Sequence, residues 1–310
     1  MTDISPAHPF RIGTRGSPLA LAQAHMTAAA LRAAHGWGED HIAIVTVQTS
    51  GDRIQDRALA DIGGKALWTK ELDRALHDGE IDCAVHSMKD VETIRPDTLA
   101  IVAILPRAAV EDRLLGAESL SALKQGAVVG TSSPRRAAQV RRLRPDLTPI
   151  VFRGNVATRI AKLDAGEADA TLLAAAGLDR LGMGDVGATI ALDEMLPAPA
   201  QGAVGIECLA DDAVTRALLV PISHADSFAC VMAERALLLG LGGTCHSPVA
   251  ALARVDGDGI LLNAEILSTD GAEHVAGSVR LTPGETAPAT ALGHELLQRA
   301  GPAIRALFHG

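Results

Sequence analysis

The sequence is poor in aromatic side chains: 310 residues contain two tryptophans, four phenylalanines and no tyrosine. Proteins that bind single-stranded nucleic acids stack bases on such rings, and the formal net charge of −9 opposes binding to a polyanion. Hydrophobic residues still make up 48% of the chain, so we expect a large core built mainly from Ala, Leu and Val. The sequence therefore disfavours a general nucleic-acid binder.

Cysteine is also scarce, and long hydrophobic runs are missing. The four cysteines form neither a CxxC pair nor a Cys/His cluster with zinc spacing, so no metal site is predicted. No apolar run approaches the roughly 20 residues that cross a bilayer, and residues 1–9 are too polar for a signal peptide. We therefore expect a cytoplasmic protein that does not enter membranes and keeps its cysteines reduced.

Short apolar strands alternate with helices through the first two thirds of the chain. Strands are predicted at 10–13, 41–47 and 81–85, and the pattern then restarts with a strand at 128–130 and a helix at 134–143. This alternation is typical of α/β proteins with mostly parallel sheets covered by helices. The restart predicts two similar α/β domains, with binding loops at the carboxyl ends of the strands and a ligand cleft between them.

The last third of the chain has a different pattern. After His224, a long helix is followed by strand-like runs at 249–254, 260–267 and 275–281, and by a final helix at 286–308. This order predicts a small α+β domain.

A pair of arginines stands at the start of a predicted helix. Ser133 suits the N-cap and Pro134 the first helical position. Arg135 and Arg136 follow directly. Because the N-terminus of a helix carries about half a positive charge, two cations there are unfavourable unless an anion joins them. The pair therefore predicts an anion-binding site.

The same construction occurs elsewhere in the chain. An apolar strand end leads into a Ser-Pro helix start in the sequence IGTRGSP, which contains Arg15 and Ser17. Asn155 can cap another helix, with Arg153 before it and Arg159 within it. This repetition suits a small polyanionic ligand. A solvated basic helix face stays open as the explanation for three further arginines, Arg141, Arg142 and Arg144.

A buried-looking strand at 81–85 runs into the polar sequence HSMKD at 86–90. The carboxyl end of a strand is where α/β proteins place their sites. Lys89 offers a compact cation, and Asp90 offers a carboxylate that can hold a proton or stabilise a cationic intermediate. A surface turn with a Lys–Asp pair is the alternative.

Cys245 lies in a glycine-rich stretch and can serve as an exposed nucleophile or attachment point, although the pattern alone is a weak signal. Cys83 and Cys208 fall in apolar strands and Cys230 on a helix, so we expect these three to be inert core residues. The polar stretch 49–64 can be a mobile lid or a plain surface loop.

Five short motifs occur in order along the chain. They are HSMKD at 86–90, GTSSPRR at 130–136, RGNVATR at 153–159, QGAVGIE at 201–207 and GTC at 243–245. With them the chain closely resembles the hydroxymethylbilane synthase family, also called porphobilinogen deaminase, from about residue 10 to the C-terminus. Each motif alone is weak, but five in order with family-like spacing are highly specific.

The resemblance implies a monomer with three domains. The first two resemble periplasmic binding proteins, and the first is completed by a segment from later in the chain. The predicted limits are 1–105 with 202–222 for the first domain, 106–201 for the arginine-rich second domain, and 223–310 for the third domain, which carries the cofactor-attachment cysteine.

The resemblance also implies the activity. Family enzymes join four porphobilinogen molecules head to tail with loss of an ammonia at each addition, and water then releases linear hydroxymethylbilane for tetrapyrrole synthesis. A dipyrromethane primer stays attached through a thioether to a cysteine that Cys245 matches. Porphobilinogen carries an acetate and a propionate, so the growing chain supplies the anions that the arginines require. No metal or nucleotide is implied.

Individual roles follow from the same resemblance. Asp90 matches the family's catalytic aspartate, which would assist loss of ammonia and stabilise positive charge on pyrrole nitrogens. Besides Cys245, the cofactor-binding residues would be Ser87, Lys89, Thr131, Ser132, Ser133, Arg135, Arg136, Asn155 and Arg159. The substrate-binding residues would be Arg15, Ser17, Arg153, Arg180, Gln201 and Gly202.

A non-catalytic anion receptor, built from two domains of the periplasmic-binding type, is the competing interpretation. The missing signal peptide, the third domain and the presence of both Asp90 and Cys245 weigh against it. A transferase is therefore the predicted function.

Overall fold

The expected strands and helices are present in a computed structural model that describes residues 4–48, 69–242 and 247–308. The helices of these residues are α1 Pro18–His35, α2 Lys70–His77, α3 Pro134–Leu143, α4 Val156–Asp164, α5 Ala175–Arg180, α6 Ala213–Leu219, α7 Ala225–Leu241, α8 Ala287–Arg299 and α9 Pro302–Arg305. None of them is long and apolar enough to cross a membrane. The strands are β1 Phe10–Arg15, β2 Ile42–Val47, β3 Cys83–Ser87, β4 Leu99–Ile104, β5 Asp112–Leu115, β6 Val128–Gly130, β7 Thr148–Ile150, β8 Ala170–Ala174, β9 Ala188–Thr189, β10 Val204–Leu209, β11 Val249–Asp256, β12 Gly259–Leu267 and β13 His274–Leu281.

The first of two compact units takes in residues 4–48, 69–108 and 203–228. Its sheet has the strand order β2-β1-β3-β10-β4. Strands β1, β2 and β3 are parallel, whereas β10 runs antiparallel to both β3 and β4. The mostly parallel sheet expected from the sequence is therefore confirmed.

Helix α1 is fixed at both ends by local signals. The Ser17 hydroxyl accepts a hydrogen bond of 3.3 Å from the amide of Ala20, and Gly36 ends the helix with a φ of 68°. The apolar face of α1, including Leu31, is buried in one cluster with Phe10 of β1. Since burying a leucine contributes about 1.5–3 kcal/mol, this packing holds α1 against β1.

The second unit is described over residues 109–202, 229–242 and 247–308. Its larger sheet has the order β7-β6-β8-β5-β9, with β6, β7 and β8 parallel and β5 antiparallel to both of its neighbours. Both five-stranded sheets therefore share one topology: three parallel strands, then a reversed strand, then an edge strand. This shared topology confirms that the alternation of strands and helices restarts in the second unit, as the sequence predicted.

The C-terminal part of the second unit is an antiparallel sheet, β11-β12-β13, packed with α7 and α8 around one aliphatic core. The predicted α/β class with a small α+β region at the end is therefore confirmed, while the limits of three domains stay a prediction. The final helix expected at 286–308 is divided, because α8 ends at Arg299 and α9 begins at Pro302. Proline lacks the amide hydrogen needed to continue a helix through this point.

Candidate active site

Asp90 lies in a short 3₁₀ turn, Met88–Asp90, directly after β3. A pocket opens beside this turn at the carboxyl ends of β1 and β3, and Arg15, Ser17 and Ser87 line it together with Asp90. A cation, two hydroxyls and a carboxylate therefore meet where α/β proteins place their ligands. Within the first unit, the structure brings these four predicted site residues together.

Strand β10 holds the turn that carries Asp90. The Met88 amide donates a hydrogen bond of 3.1 Å to the carbonyl of Ala203. The buried Met88 side chain packs over Gly205, where an added methyl group would overlap the Met88 sulfur. Glycine at 205 is therefore a packing requirement of the turn.

The Ser87 hydroxyl is oriented by α1. The buried side chain of Gln23 donates from Nε2 to Ser87 Oγ at 2.7 Å, and its Oε1 accepts from the same hydroxyl at 3.1 Å. Lys89 lies half-buried in the turn itself. The cofactor-binding roles of Ser87 and Lys89 stay predictions.

A buried ionic network lies behind the pocket. The carboxylate of Glu207, which has no exposed side-chain surface, accepts two hydrogen bonds from Arg95, at 2.9 and 2.8 Å. Its Oε2 also lies 3.2 Å from Nε2 of His86. Burial raises the pKa of Glu207, but hydrogen bonds from His86 and Arg95 outweigh burial and lower the pKa to about 2. Both His86 and Glu207 stand in the motifs quoted above, yet the pattern gave no reason to pair residues so far apart.

In the second unit, Ser133 caps α3 as expected, accepting a hydrogen bond of 3.4 Å from the amide of Arg136, with proline at the first turn. Arg135 and Arg136 are buried, and both bind Asp112: Arg135 Nη1 lies 2.8 Å from Oδ2, and Arg136 Nη2 lies 2.7 Å from Oδ1. The anion that the sequence required is therefore present within the chain. Binding of cofactor carboxylates by the same arginines stays a prediction.

The sequence pattern did not identify Asp112 as a site residue, because it did not predict strand β5, on which Asp112 lies. Burial raises the pKa of Asp112, but the charges of Arg135 and Arg136 and their hydrogen bonds outweigh burial and hold it well below its usual range. Asp112 is thus ionised, and it fixes the orientation of both guanidinium groups. The side chain of Gln201, also buried, donates to Asp112 Oδ1 at 2.8 Å and to the carbonyl of Val110 at 2.7 Å.

A second group of predicted residues gathers after β6 and β7. Asn155 caps α4 as expected, with Oδ1 2.9 Å from the amide of Thr158. Arg159 of α4 donates to the hydroxyl of Ser132 at 2.9 Å. Arg153 lies nearby in the chain with its Nη1 buried and without a hydrogen-bond partner in the described residues. Cationic and hydroxyl groups therefore collect at this edge of the second sheet.

Two other predicted residues of the second unit are in direct contact. Arg180 Nη2 donates to the carbonyl of Gly202 at 2.6 Å, and burial lowers the pKa of Arg180. Thr131, also buried, accepts at its hydroxyl a hydrogen bond of 3.2 Å from the amide of Ser133. Cys245 and the stretch 49–64 lie outside the described residues.

These features define the class of the protein. It is an α/β protein with two sheets of the same topology, and cationic and hydroxyl side chains lie near the ends of the parallel strands in each sheet. A sequence model described as "Porphobilinogen deaminase, dipyromethane cofactor binding domain" matches residues 10–217. A second, described as "Porphobilinogen deaminase, C-terminal domain", matches residues 228–300.

Curated relatives agree with these matches over nearly the whole chain. The porphobilinogen deaminase of Sphingopyxis alaskensis is 61% identical over 98% of both chains. The enzymes of that name from Paracoccus denitrificans and Nitrobacter winogradskyi are 52% identical over 94% of both chains and 49% identical over 96% of both. The chain belongs to the porphobilinogen deaminase family.

Likeness to solved structures is weaker. The second substrate-binding domain of a putative amino acid ABC transporter from Streptococcus pneumoniae has a TM-score of 0.44 and 14% identity, covering 68% of this chain and 90% of that one. The VFT2 domain of BvgS from Bordetella pertussis has a TM-score of 0.40 and 14% identity, covering 69% of this chain and 85% of that one.

Family membership establishes the activity predicted from the sequence. The protein is a transferase of porphyrin biosynthesis that condenses four porphobilinogen molecules with loss of ammonia and releases hydroxymethylbilane. Its cofactor is dipyrromethane. A non-catalytic anion receptor is not favoured.

Proposed function

We propose that porphobilinogen reacts in the pocket of the first unit, with Asp90 as the catalytic carboxylate. The observation that carries this proposal is that Asp90 shares its pocket with Arg15 and Ser17. Loss of ammonia leaves positive charge on the pyrrole, which a fixed carboxylate stabilises. Arg15 and the Ser17 hydroxyl are the groups that suit the acetate and propionate of the same molecule.

We further propose that the second unit binds the carboxylates of the cofactor. Arg153 supports this role because it has a buried Nη1 without a hydrogen-bond partner in the part of the chain that the structure describes. Arg159 and Ser132, which are hydrogen-bonded to each other at 2.9 Å, carry further donors in the same unit. When bound, the dipyrromethane supplies the pyrrole carbon to which the first porphobilinogen is joined.

The start of α3 suits the same ligand chemistry. Arg135, Arg136 and Asp112 together carry one net positive charge, because two guanidinium groups share one carboxylate. A carboxylate near the N-terminus of α3 would neutralise that charge and be favoured by the helix dipole. Asp112 keeps both arginines in place before the ligand binds, so less conformational freedom is lost on binding.

Cys245 is proposed as the attachment point, through a thioether. Intact-mass measurement tests this role: the protein should be heavier than its sequence by one dipyrromethane, and Cys245→Ala should lack the increment. Cys230→Ala is the matched control, because Cys230 is a cysteine buried in the C-terminal core. A full increment in Cys245→Ala, or its loss in Cys230→Ala, would contradict the assignment.

We also propose that the enzyme acts as a monomer in the cytoplasm, as the family resemblance implies. Light scattering coupled to gel filtration should give the 32.0 kDa of one chain. Fractionation of cells that produce the protein should recover it with cytoplasmic markers. A dimer mass or a periplasmic location would refute the respective part of the proposal.

A further inference from the structure

His86 lines the same pocket as Asp90. Its side chain is only 5% exposed. One ring nitrogen, Nε2, lies 3.2 Å from Oε2 of Glu207. A histidine that is nearly buried, lines a reaction pocket and is tied at one nitrogen to a carboxylate has the arrangement used in proton transfer.

The partner of His86 fixes which nitrogen carries a proton. Glu207 is ionised, because its pKa is lowered to about 2. An ionised carboxylate can only accept hydrogen bonds, so Nε2 of His86 must be the donor. The remaining nitrogen, Nδ1, makes no hydrogen bond to any residue within 4–48, 69–242 and 247–308. It is therefore the ring atom at which a proton can be gained or lost.

Arg95 keeps Glu207 in the required state and position. It binds both oxygens of the Glu207 carboxylate and also contacts Asp73 at 2.5 Å and Glu92 at 2.8 Å. Arg95 therefore holds the Glu207 carboxylate in place against Nε2 of His86. Among the described residues, the other charged groups that line the pocket are Asp90 and Arg15.

Each addition of a porphobilinogen needs a protonated amino group on the incoming molecule and a base for the proton that the acceptor pyrrole loses. The C–N bond of the protonated aminomethyl group breaks, and ammonia leaves with the electron pair. A new C–C bond forms at the free α-carbon of the acceptor pyrrole, the C–H bond at that carbon then breaks, and its electron pair returns to the ring. The released proton must go to a base. Asp90 stabilises the cation most effectively while it stays ionised. A separate proton acceptor in the pocket lets Asp90 stay ionised while the proton from the α-carbon is removed.

We propose that His86 is this acceptor: its Nδ1 takes the proton lost from the pyrrole α-carbon, while Glu207 positions the ring and stabilises the imidazolium. The proton then passes to solvent before the next addition. Glu207 and Arg95 are positioning residues in this scheme, since neither lines the pocket. The inference rests on the proposed reaction at the Asp90 pocket.

His86→Gln tests the acceptor directly, because glutamine can still donate to Glu207 but has no basic nitrogen. Turnover should fall by about 10²- to 10⁴-fold. Porphobilinogen deuterated at its free α-carbon should show a larger isotope effect with the variant than with the unaltered enzyme, since proton removal becomes the slow step. Porphobilinogen binding, measured by calorimetry, and the melting temperature should change little. His77→Gln is the control, because His77 is exposed on α2 and does not line the pocket; its Nε2 lies 3.2 Å from the hydroxyl oxygen of Thr98.

Normal turnover of His86→Gln, or lost turnover with an unchanged isotope effect, would overturn the proposal. Nitrogen-15 NMR of histidine in the unaltered protein gives a measurement that does not depend on a variant. In the neutral ring the proton should reside on Nε2 of His86, and an Nδ1–H form would refute the scheme. Full activity of Asp90→Asn would instead refute the proposed site, so the two failures can be told apart.

Glu207→Gln gives a second variant if His86→Gln does not fold. Loss of the anion removes the stabilisation of the imidazolium, so the acid limb of the pH–rate profile should move to lower pH. A carboxylate that serves only to stabilise the fold would lower the melting temperature and leave this limb where it was. An unmoved acid limb in folded Glu207→Gln would therefore contradict the positioning role.

Discussion

Arg136 donates a hydrogen bond of 2.7 Å from Nη2 to Oδ1 of Asp112, and both side chains are buried. Arg135 binds the other oxygen of the same carboxylate. Asp112 thus connects β5 to the first turn of α3 and neutralises half of the positive charge there. A buried ion is tolerated only when its partners are present, so these three residues depend on one another.

Asp112→Asn should destabilise the protein by about 3–5 kcal/mol, because the variant leaves two buried guanidinium groups without their anion. Urea unfolding at neutral pH measures the free energy of unfolding. Asp146→Asn is the control, since Asp146 pairs with Arg144 at 2.7 Å near the surface, where ion pairs contribute little. Equal stability of the two variants would show that Asp112 is not a structural partner of α3.

The network around Glu207 should make stability depend on pH. The pKa of Glu207 is lowered in the folded protein to about 2, against about 4.3 in an unfolded chain. A lowered pKa stabilises the folded state above the unfolded value, and this contribution is lost as the pH falls through the folded value. The stability difference between the unaltered protein and Glu207→Gln should therefore be constant above about pH 5 and shrink between about pH 4 and pH 2.

Thermal or urea unfolding of both proteins across that range gives the measurement. The lost contribution should be on the order of 3 kcal/mol, since one pKa unit corresponds to about 1.4 kcal/mol. A difference that stays constant down to pH 2 would mean that Glu207 is not held in its ionised form by Arg95 and His86.

Local signals in the sequence were enough to place the site elements. Ser17 and Ser133 each cap the helix that they were expected to cap, and Asn155 does the same for α4. Such caps depend on residues two or three positions apart, so they can be recognised without the fold. The polar end of β3 was predictable for the same reason, because the strand and its turn are continuous in sequence.

The partners of these residues were not predictable, because they come from distant strands. Asp112 lies on a four-residue strand, too short for a clear pattern, and it reaches α3 only because β5 pairs with β8. His86 meets Glu207 across the antiparallel pair of β3 and β10, 121 positions apart in the chain. The register that joins them is set by the sheet, which no local pattern reports.

Asp90→Asn should keep the fold and the cofactor but lose most turnover, because an uncharged amide cannot stabilise the cation as a carboxylate does. The expected loss is about 10²- to 10⁴-fold. Steady-state assays, with intact mass for cofactor content, measure both effects. Asp97→Asn is the control, since Asp97 is exposed and follows the same turn in the chain. Near-normal turnover of Asp90→Asn would refute the assignment of Asp90.

Gly205→Ala should lower turnover although residue 205 bears no chemical group. An added methyl would overlap the buried sulfur of Met88, so the turn that carries Asp90 must shift. A shift of about 1 Å at a reacting group can cost on the order of 100-fold in rate, while overpacking costs about 1–3 kcal/mol of stability. Shortening Met88 makes room for the methyl, so the double variant Gly205→Ala with Met88→Ala should recover turnover relative to Gly205→Ala alone.

Gly184→Ala is the control for this pair, because among the described residues its added methyl would come close only to the Asp179 carboxylate, at 3.1 Å. It should retain full turnover. If Gly205→Ala is destabilised but turns over normally, the contact between β10 and Met88 supports the fold without setting the position of Asp90. If the double variant is no more active than Gly205→Ala, the loss has a cause other than the displaced Met88 side chain. Recovery in the double variant would show that the close contact between Gly205 and the Met88 side chain sets the position of Asp90.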